Sequence, residues 1–519
     1  MTDATRRDLF WLTRITAVIS LGALIFYYHQ GALLLYGDAV AHINIARRVF
    51  DSRTPSLLQL GTVWLPLPHL LDIPFIVNDH LWQSGLGASV PSMIAYVVGT
   101  LGVFRLVRGL ASRSAAWIAA LVYALNPNLI YMQATAMTES LYLAFFVWSA
   151  VYFAESVRDA RENAERAGKS LKKCGLMVSA AMLVRYDGWF LAAVIAAAVL
   201  GVLWRQRLFT PALRNGFATF ILLTGLTGAL FLAYNYFVFG NVLEFANGPN
   251  SAHAIQERSK TATMPTYPGE NSLRDATLQF LKTSRLNVAN DRYESWMFTT
   301  TLVALLAAVY FSRRYLSWAI LLAPVPFYIL CIAWGSVPIY HPDWWPFSYY
   351  NVRYGLQLLP AIAVFFALAC EFLGNFVSFR RVSMAAALLI AVSYFSVWQN
   401  TPICLREAQA NGRERLAFEQ QLADALKSLP KSASLMMECS SHPGAMQMAG
   451  IPFKRVLRES NHPAWENGLA QPAQAADFII AFPGDAVARA VSRFPQGLEP
   501  VATIGTPLQP KALIYRATH

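Results

Sequence analysis

Charge is scarce in this chain, and that scarcity decides its class. Only 14% of its 519 residues are Asp, Glu, Lys or Arg, against 55% hydrophobic ones. That balance excludes the three or four soluble domains that length alone would allow. Cysteine is sparse too: five are scattered with neither metal-ligand spacing nor a disulfide framework. Cys174, Cys331 and Cys370 lie at or in apolar runs, so only Cys404 and Cys439 can share an oxidising compartment and pair. Internal repeats are missing, as are matched broken helices in two halves, which counts against a secondary transporter. No small-residue cleavage site follows the first apolar run, so the N-terminus reads as an uncleaved signal-anchor.

What the chain does have is repeated apolar runs that reach the ~20 residues needed to cross a bilayer, with a mean hydropathy of +0.38. It reads as an all-α polytopic membrane protein. The net charge of +12 invites a nucleic-acid reading, but the basic residues cluster between apolar runs, where the positive-inside rule puts them. No nucleic-acid partner is expected.

Starting with the N-terminus inside, the expected spans are Ile15–Tyr36, Gly87–Phe104, Ala115–Met132 and Thr138–Ala154. The run from Cys174 to Trp204 is interrupted by Arg185-Tyr186-Asp187-Gly188. Two short crossings there keep Arg205, Arg207 and Arg214 inside. Gly216–Phe239, Ser295–Phe311, Tyr315–Ala333, Arg353–Phe372 and Val382–Gln399 follow. The count is about eleven, within a range of about 10–13. Basic Arg105–Arg113, Arg313-Arg314 and Arg380-Arg381 then face the cytoplasm, and the C-terminus lies outside. The expected organisation is a transmembrane unit over 1–400, with a first outer loop at 37–86 and a long outer loop at 240–294. After Asn400 a small soluble α/β domain, residues 401–519, is expected outside the membrane. It reads as an amphipathic helix at 411–428, strands at Ser434–Glu438, Phe453–Leu457, Asp477–Phe482, Val501–Ile504 and Ala512–Tyr515, and a helix at Asp485–Arg493.

Ionisable groups at the edges of spans are costly and are functional candidates. Asp38 and His42 follow the first span, Glu139 begins the fourth, Arg185 and Asp187 sit at the outer turn of the split run, and Arg353 begins the tenth. All are expected at one membrane face. Each has an innocent alternative. Asp38 can N-cap the helical stretch behind it, Glu139 can favour a first turn through the helix dipole, and Arg353 can snorkel as an anchor. Apolar Ile43, Ala46, Val49 and Phe50, with Arg47 and Arg48 on the other side, suit a helix lying in the interface. His42 lies one turn from Asp38, within reach of it. The Pro-broken stretch Val63–Asp72 reads as a second interfacial or re-entrant element whose His69 and Asp72 are surface polar residues.

Gly37-Asp38, Met137-Thr138-Glu139-Ser140, Leu183-Val184-Arg185-Tyr186-Asp187-Gly188-Trp189, Tyr234-Asn235 with Phe239-Gly240-Asn241, and Arg353-Tyr354-Gly355-Leu356-Gln357-Leu358-Leu359-Pro360 occur in that order. Together they resemble the GT-C class of integral-membrane glycosyltransferases, in particular the protein O-mannosyltransferase and lipid A aminoarabinose transferase branch. The resemblance covers most of residues 1–400. It implies a polyprenyl-phosphate-linked sugar donor and inverting transfer to a protein, lipid or glycan acceptor at the outer face. It also implies Asp38 as base, Glu139 as a second acid, and Arg353 with Arg185 on the donor phosphate, supported by His42, Asp187 and Tyr354. No cofactor is required on this reading; Asp38, His42 and Glu139 are the set that could hold a divalent cation. The long outer loop, with Tyr267, can close over substrates or be a plain connector. Rival readings are a transporter or lipid flippase, and another polyprenyl-linked transferase or ligase.

Overall fold

The computed structural model describes residues 3–61, 63–207, 210–261, 264–290, 294–311, 313–440 and 442–518. Parts of the long outer loop (262, 263 and 291–293) therefore lie outside the described residues, as do the side chains of Arg313 and Arg314. Helix α1 (Asp3–His29) opens the chain. It ends seven residues before the expected Tyr36, because Gly31, at φ +64°, turns the backbone out of the helix.

The first outer loop is built of short helices. They are α2 (Gly37–Arg48), a 3-10 turn at Leu57–Leu60, α3 (Pro66–Asp72) and α4 (Asp79–Ser84). Two readings of this loop are corrected. Asp38 does not cap α2; the N-cap is Tyr36, and Asp38 lies inside the first turn. His69 and Asp72 are not surface residues, being 0% and 3% exposed. The C-terminal domain packs on this loop through α20 (Pro443–Ala449), a cover that local sequence does not announce.

The membrane helices follow: α5 (Leu86–Arg108), α6 (Arg113–Ala124), α7 (Pro127–Met132), α8 (Glu139–Asp159), α9 (Ala164–Met182), α10 (Asp187–Gln206) and α11 (Pro211–Phe239). The expected third span is thus two helices, since Pro127 starts a new one with Asn126 as its side-chain cap. The run from Cys174 to Trp204 is indeed two helices, broken at residues 183–186. Helices α9 and α11 meet through glycines: a Cβ at Gly168 would sit 2.5 Å from the Ala212 carbonyl oxygen. Small residues of this kind let membrane helices approach closely.

The long outer loop carries α12 (Glu244–Asn247), α13 (Ala252–Ser259) and α14 (Leu273–Leu286). Tyr267 is 3% exposed and its hydroxyl donates to the Ile332 carbonyl at 2.7 Å, so this tyrosine pins the loop to the bundle. Then come α15 (Glu294–Phe311), a 3-10 stretch Arg313–Leu322, α16 (Pro324–Trp334), a 3-10 turn Val352–Leu358, α17 (Leu359–Gly374) and α18 (Phe379–Gln399). Among the described residues, eight segments are long and apolar enough to cross a membrane. The segments expected as the other three spans are α6 with α7, α9 and α15. The protein is an integral membrane protein of mostly helical build.

The C-terminal part begins with α19 (Ile403–Lys427), eight residues earlier than expected. β1 (Leu435–Met437), α20, β2 (Val456–Leu457), α21 (Ala464–Ala470), α22 (Pro472–Ala475), β3 (Phe478–Ala481), α23 (Ala486–Arg493), β4 (Leu498–Ile504) and β5 (Ala512–Ala517) complete it. The sheet order is β2-β1-β3-β5-β4, parallel at β2-β1-β3 and antiparallel beyond. All five cysteines are free; Cys404 and Cys439 are buried and unjoined.

Candidate active site

The ends of α2, α8 and α10, the 3-10 turn before α17, and the start of α19 meet at one place. Arg353 is its hub. Asn351 takes a left-handed conformation (φ +56°), one that Asn tolerates better than most residues, and so turns the chain into the 3-10 segment carrying Arg353. The Arg353 Nη2 donates to Asp38 Oδ2 at 2.6 Å and its Nη1 to Glu407 Oε1 at 2.7 Å. Its Nε lies 3.4 Å from Glu139 Oε1. The rings of Tyr36 and Tyr354 each stand 5.1 Å from its guanidinium carbon.

Arg185 forms a second node. Its Nη1 lies 3.2 Å from the same Glu139 oxygen and donates to Thr138 Oγ1 at 3.1 Å. Its Nε pairs with Asp187 at 3.3 Å and its Nη2 donates to the Tyr328 hydroxyl at 3.0 Å. The Tyr328 hydroxyl donates in turn to Asp187 Oδ2. Tyr354 lies against both arginines, with its ring 4.9 Å from the Arg185 guanidinium carbon. The result is one chain of alternating charges: Asp38, Arg353, Glu139, Arg185, Asp187.

Burial separates the carboxylates by the work they can do. The side chains of Glu139, Glu407 and Asp187 are 0%, 1% and 4% exposed, whereas that of Asp38 is 39% exposed. Buried acids already held by arginines position those arginines; an open carboxylate is free to meet an incoming proton. Glu139 is therefore placed to orient the two arginines, with its Oε2 left buried without a hydrogen bond.

Six of the seven residues expected at the site converge: Asp38, Glu139, Arg185, Asp187, Arg353 and Tyr354. His42 does not join Asp38. Its Nδ1 lies 2.8 Å from His69 Nε2 and its ring packs on Trp64. Burial pushes His42 down to about 4, against the pull of Asp38, and pushes His69 down as well. Asp38, His42 and Glu139 are thus not gathered as a cation site, and among the described residues no three His, Cys, Asp or Glu side chains are.

Glu407, Tyr36 and Tyr328 were not singled out from the sequence. Glu407 is the most consequential: burial raises its pKa against the opposing pull of Arg353, and it also takes hydrogen bonds from the Tyr36 hydroxyl (3.0 Å) and the Arg353 backbone N–H (3.3 Å). Its signal lies in the helix start. With the helix opened at Ile403 rather than at 411, Glu407 falls among buried Ile403, Cys404 and Ala408.

Residues 81–239 match the family model for dolichyl-phosphate-mannose-protein mannosyltransferase. No curated protein sequence matches the chain. Among solved structures, ArnT from Cupriavidus metallidurans bound to undecaprenyl phosphate superposes with a TM-score of 0.61 at 11% identity, over 97% of this chain and 97% of that one. The same protein in the apo state gives 0.58 at 12%, over 99% and 98%. AglB, the oligosaccharyltransferase of Archaeoglobus fulgidus, in complex with an inhibitory peptide and a dolichol-phosphate, gives 0.50 at 13%, over 93% of this chain and 70% of that one. At these identities the likeness is one of fold.

Proposed function

Starting from a chain that has the fold of the GT-C integral-membrane glycosyltransferases, we propose that it moves a sugar from a polyprenyl-phosphate donor to an acceptor at the membrane face that carries its C-terminal domain. The observation that carries this reading is the single open carboxylate, Asp38, held on Arg353 beside Arg185. Inverting transfer needs a base for the acceptor and a cation for the departing phosphate, and this pair supplies both.

The donor phosphate competes with Asp38 for Arg353, as a guanidinium binds phosphate and carboxylate alike. Once displaced, Asp38 takes the acceptor proton. The acceptor oxygen bonds to the anomeric carbon from the face opposite the phosphate, and the carbon–oxygen bond to phosphate breaks with its electron pair going to the phosphate. Arg353 and Arg185 hold the released polyprenyl phosphate. Glu139, Glu407 and Asp187 keep the arginines in place throughout. No cation is called for, because the arginines do its work; turnover is expected to be unchanged by EDTA. We place this face outside the cytoplasm on the strength of the basic loops.

The test is incubation of the purified protein in nanodiscs with labelled polyprenyl-phosphate sugars and candidate acceptors. Release of polyprenyl phosphate with an inverted glycoside supports the proposal. Movement of intact donor between leaflets without release indicates a flippase instead.

A further inference from the structure

Arg47 and Arg48 were both expected on the side of an interfacial helix opposite its apolar residues; Arg47 is buried and Arg48 partly so, with opposite fates. Arg47 is fully engaged. It pairs with Asp51 (3.0 Å) and Asp79 (2.6 Å), donates to the carbonyls of Ile76 and Val77, and stacks on Trp82. Arg48 makes one hydrogen bond, from Nε to the Gln59 carbonyl at 2.6 Å, and no ion pair among the described residues. Across Gln59 stands Arg458 from the C-terminal domain, 1% exposed, whose Nη2 donates to Gln59 Oε1 at 2.6 Å. It too pairs with no carboxylate among the described residues, and its Nε is buried without a partner.

Glu459 pulls on Arg48 through its charge, but its Oε2 accepts the Cys439 backbone N–H at 2.9 Å and it forms no ion pair with either arginine among the described residues. Gly61, at φ +79°, brings bare backbone against Arg48; a Cβ there would lie 3.1 Å from Nη2. Burial and the neighbouring Arg458 push Arg48 down to about 9, against the pull of Glu459. Arg48 is partly buried and Arg458 almost wholly so, and guanidinium groups withdrawn from water without a direct ion pair are costly. That cost is removed when an anion joins them, and phosphate fits the paired forks of two arginines.

We propose that Arg48 and Arg458 form a second anion site, taking a phosphate group carried by a lipid headgroup or by a phosphorylated substrate. It is separate from the donor site. Arg48 lies ten positions beyond Asp38 on α2, about 15 Å along the helix axis, and the His42–His69 pair stands between, with His42 sensing Asp38 and His69 sensing Arg48. A leaving phosphate is one bond from the carbon under attack, so it cannot occupy this place. Because Arg458 comes from the C-terminal domain, the site is complete only where that domain docks on the first outer loop.

The test uses the full-length protein in phosphatidylcholine nanodiscs, titrated with inorganic pyrophosphate and followed by calorimetry and thermal melting. Wild type is expected to bind two equivalents, and Arg48→Gln and Arg458→Gln one. Without anion these variants are expected to melt at or above wild type, since an uncompensated charge has gone. Asp38→Asn is expected to keep both equivalents, and Arg48→Lys to recover part of the affinity. Nanodiscs containing phosphatidic acid distinguish the source: displacement of the second equivalent identifies a lipid headgroup, and its retention identifies a phosphate borne by a substrate. A single equivalent in wild type that survives Arg458→Gln overturns the proposal, as does an Arg458→Gln variant that melts lower and binds two. None of these readouts needs sugar transfer.

Discussion

Asp38 and Arg353 share one hydrogen bond but have different surroundings, and that difference predicts how each will fail when changed. Asp38 is half open to solvent, so Asp38→Asn removes a proton acceptor and little packing. Turnover is expected to fall by at least ~100-fold, with donor affinity equal to wild type or tighter, because Asn competes less for Arg353. A donor-binding titration beside single-turnover transfer measures both. Arg353→Gln strips the counter-charge from buried Glu139 and Glu407. Removing one partner of a buried pair costs about 3–5 kcal/mol, so this variant should melt measurably lower as well as bind donor weakly. A variant that melts like wild type would reduce Arg353 to a surface anchor. The members of this cluster that bound spans were legible in the sequence, because an acid or arginine at the edge of an apolar run stands out against its neighbours. Glu407 was not. It follows the last span, in a segment where a charged residue reads as solvated, and only the approach of Arg353 from far along the chain makes it part of the site.

Helix α19 is the element that joins membrane and soluble parts. A Cβ at Gly412 would lie 2.2 Å from the Leu35 carbonyl oxygen, and Arg415 Nη2 donates to the Leu34 carbonyl at 2.7 Å. The helix is thus seated directly on the turn that presents Asp38. Gly412→Val is expected to push the two apart, at about 1–3 kcal/mol, and to lower transfer without touching any residue of the cluster. Turnover together with proteolytic sensitivity near residue 400 reports this; wild-type turnover with a protected junction would refute it. Amphipathic spacing was enough to find most of α19, and the short strands after it were found from their bounding turn residues. Its contact with Leu35 was not readable, since close approach of two backbones leaves only a glycine as its trace. The same limit applies to His69 and Asp72, which were read as surface residues because the cover over them comes from the packing of α3 against α2 and α5.

At the scale of the whole molecule, the packing of α20 on α19 carries a pH dependence. Glu419 on α19 pairs with Arg415, yet burial raises it to about 7. Between the ordinary value of 4.5 and 7 the folded state keeps a proton that the unfolded state has lost. Glu419 therefore contributes stability that is present below 4.5 and is lost as pH rises towards 7. The melting temperature of Glu419→Gln relative to wild type should rise across that window and stay level above it. A difference flat from pH 4.5 to 8 would refute the assignment. The architecture of helical bundle and small sheet was readable from hydropathy and turn residues, whereas the mutual placement of the two parts depends on pairings that span the chain. One of these has a consequence in time. Arg353 is made 54 residues before Glu407, so a nascent chain can thread all its membrane helices while its central arginine still lacks one of its three carboxylates. On the proposed function, a chain stopped at that stage is inserted but holds its central arginine by two carboxylates instead of three.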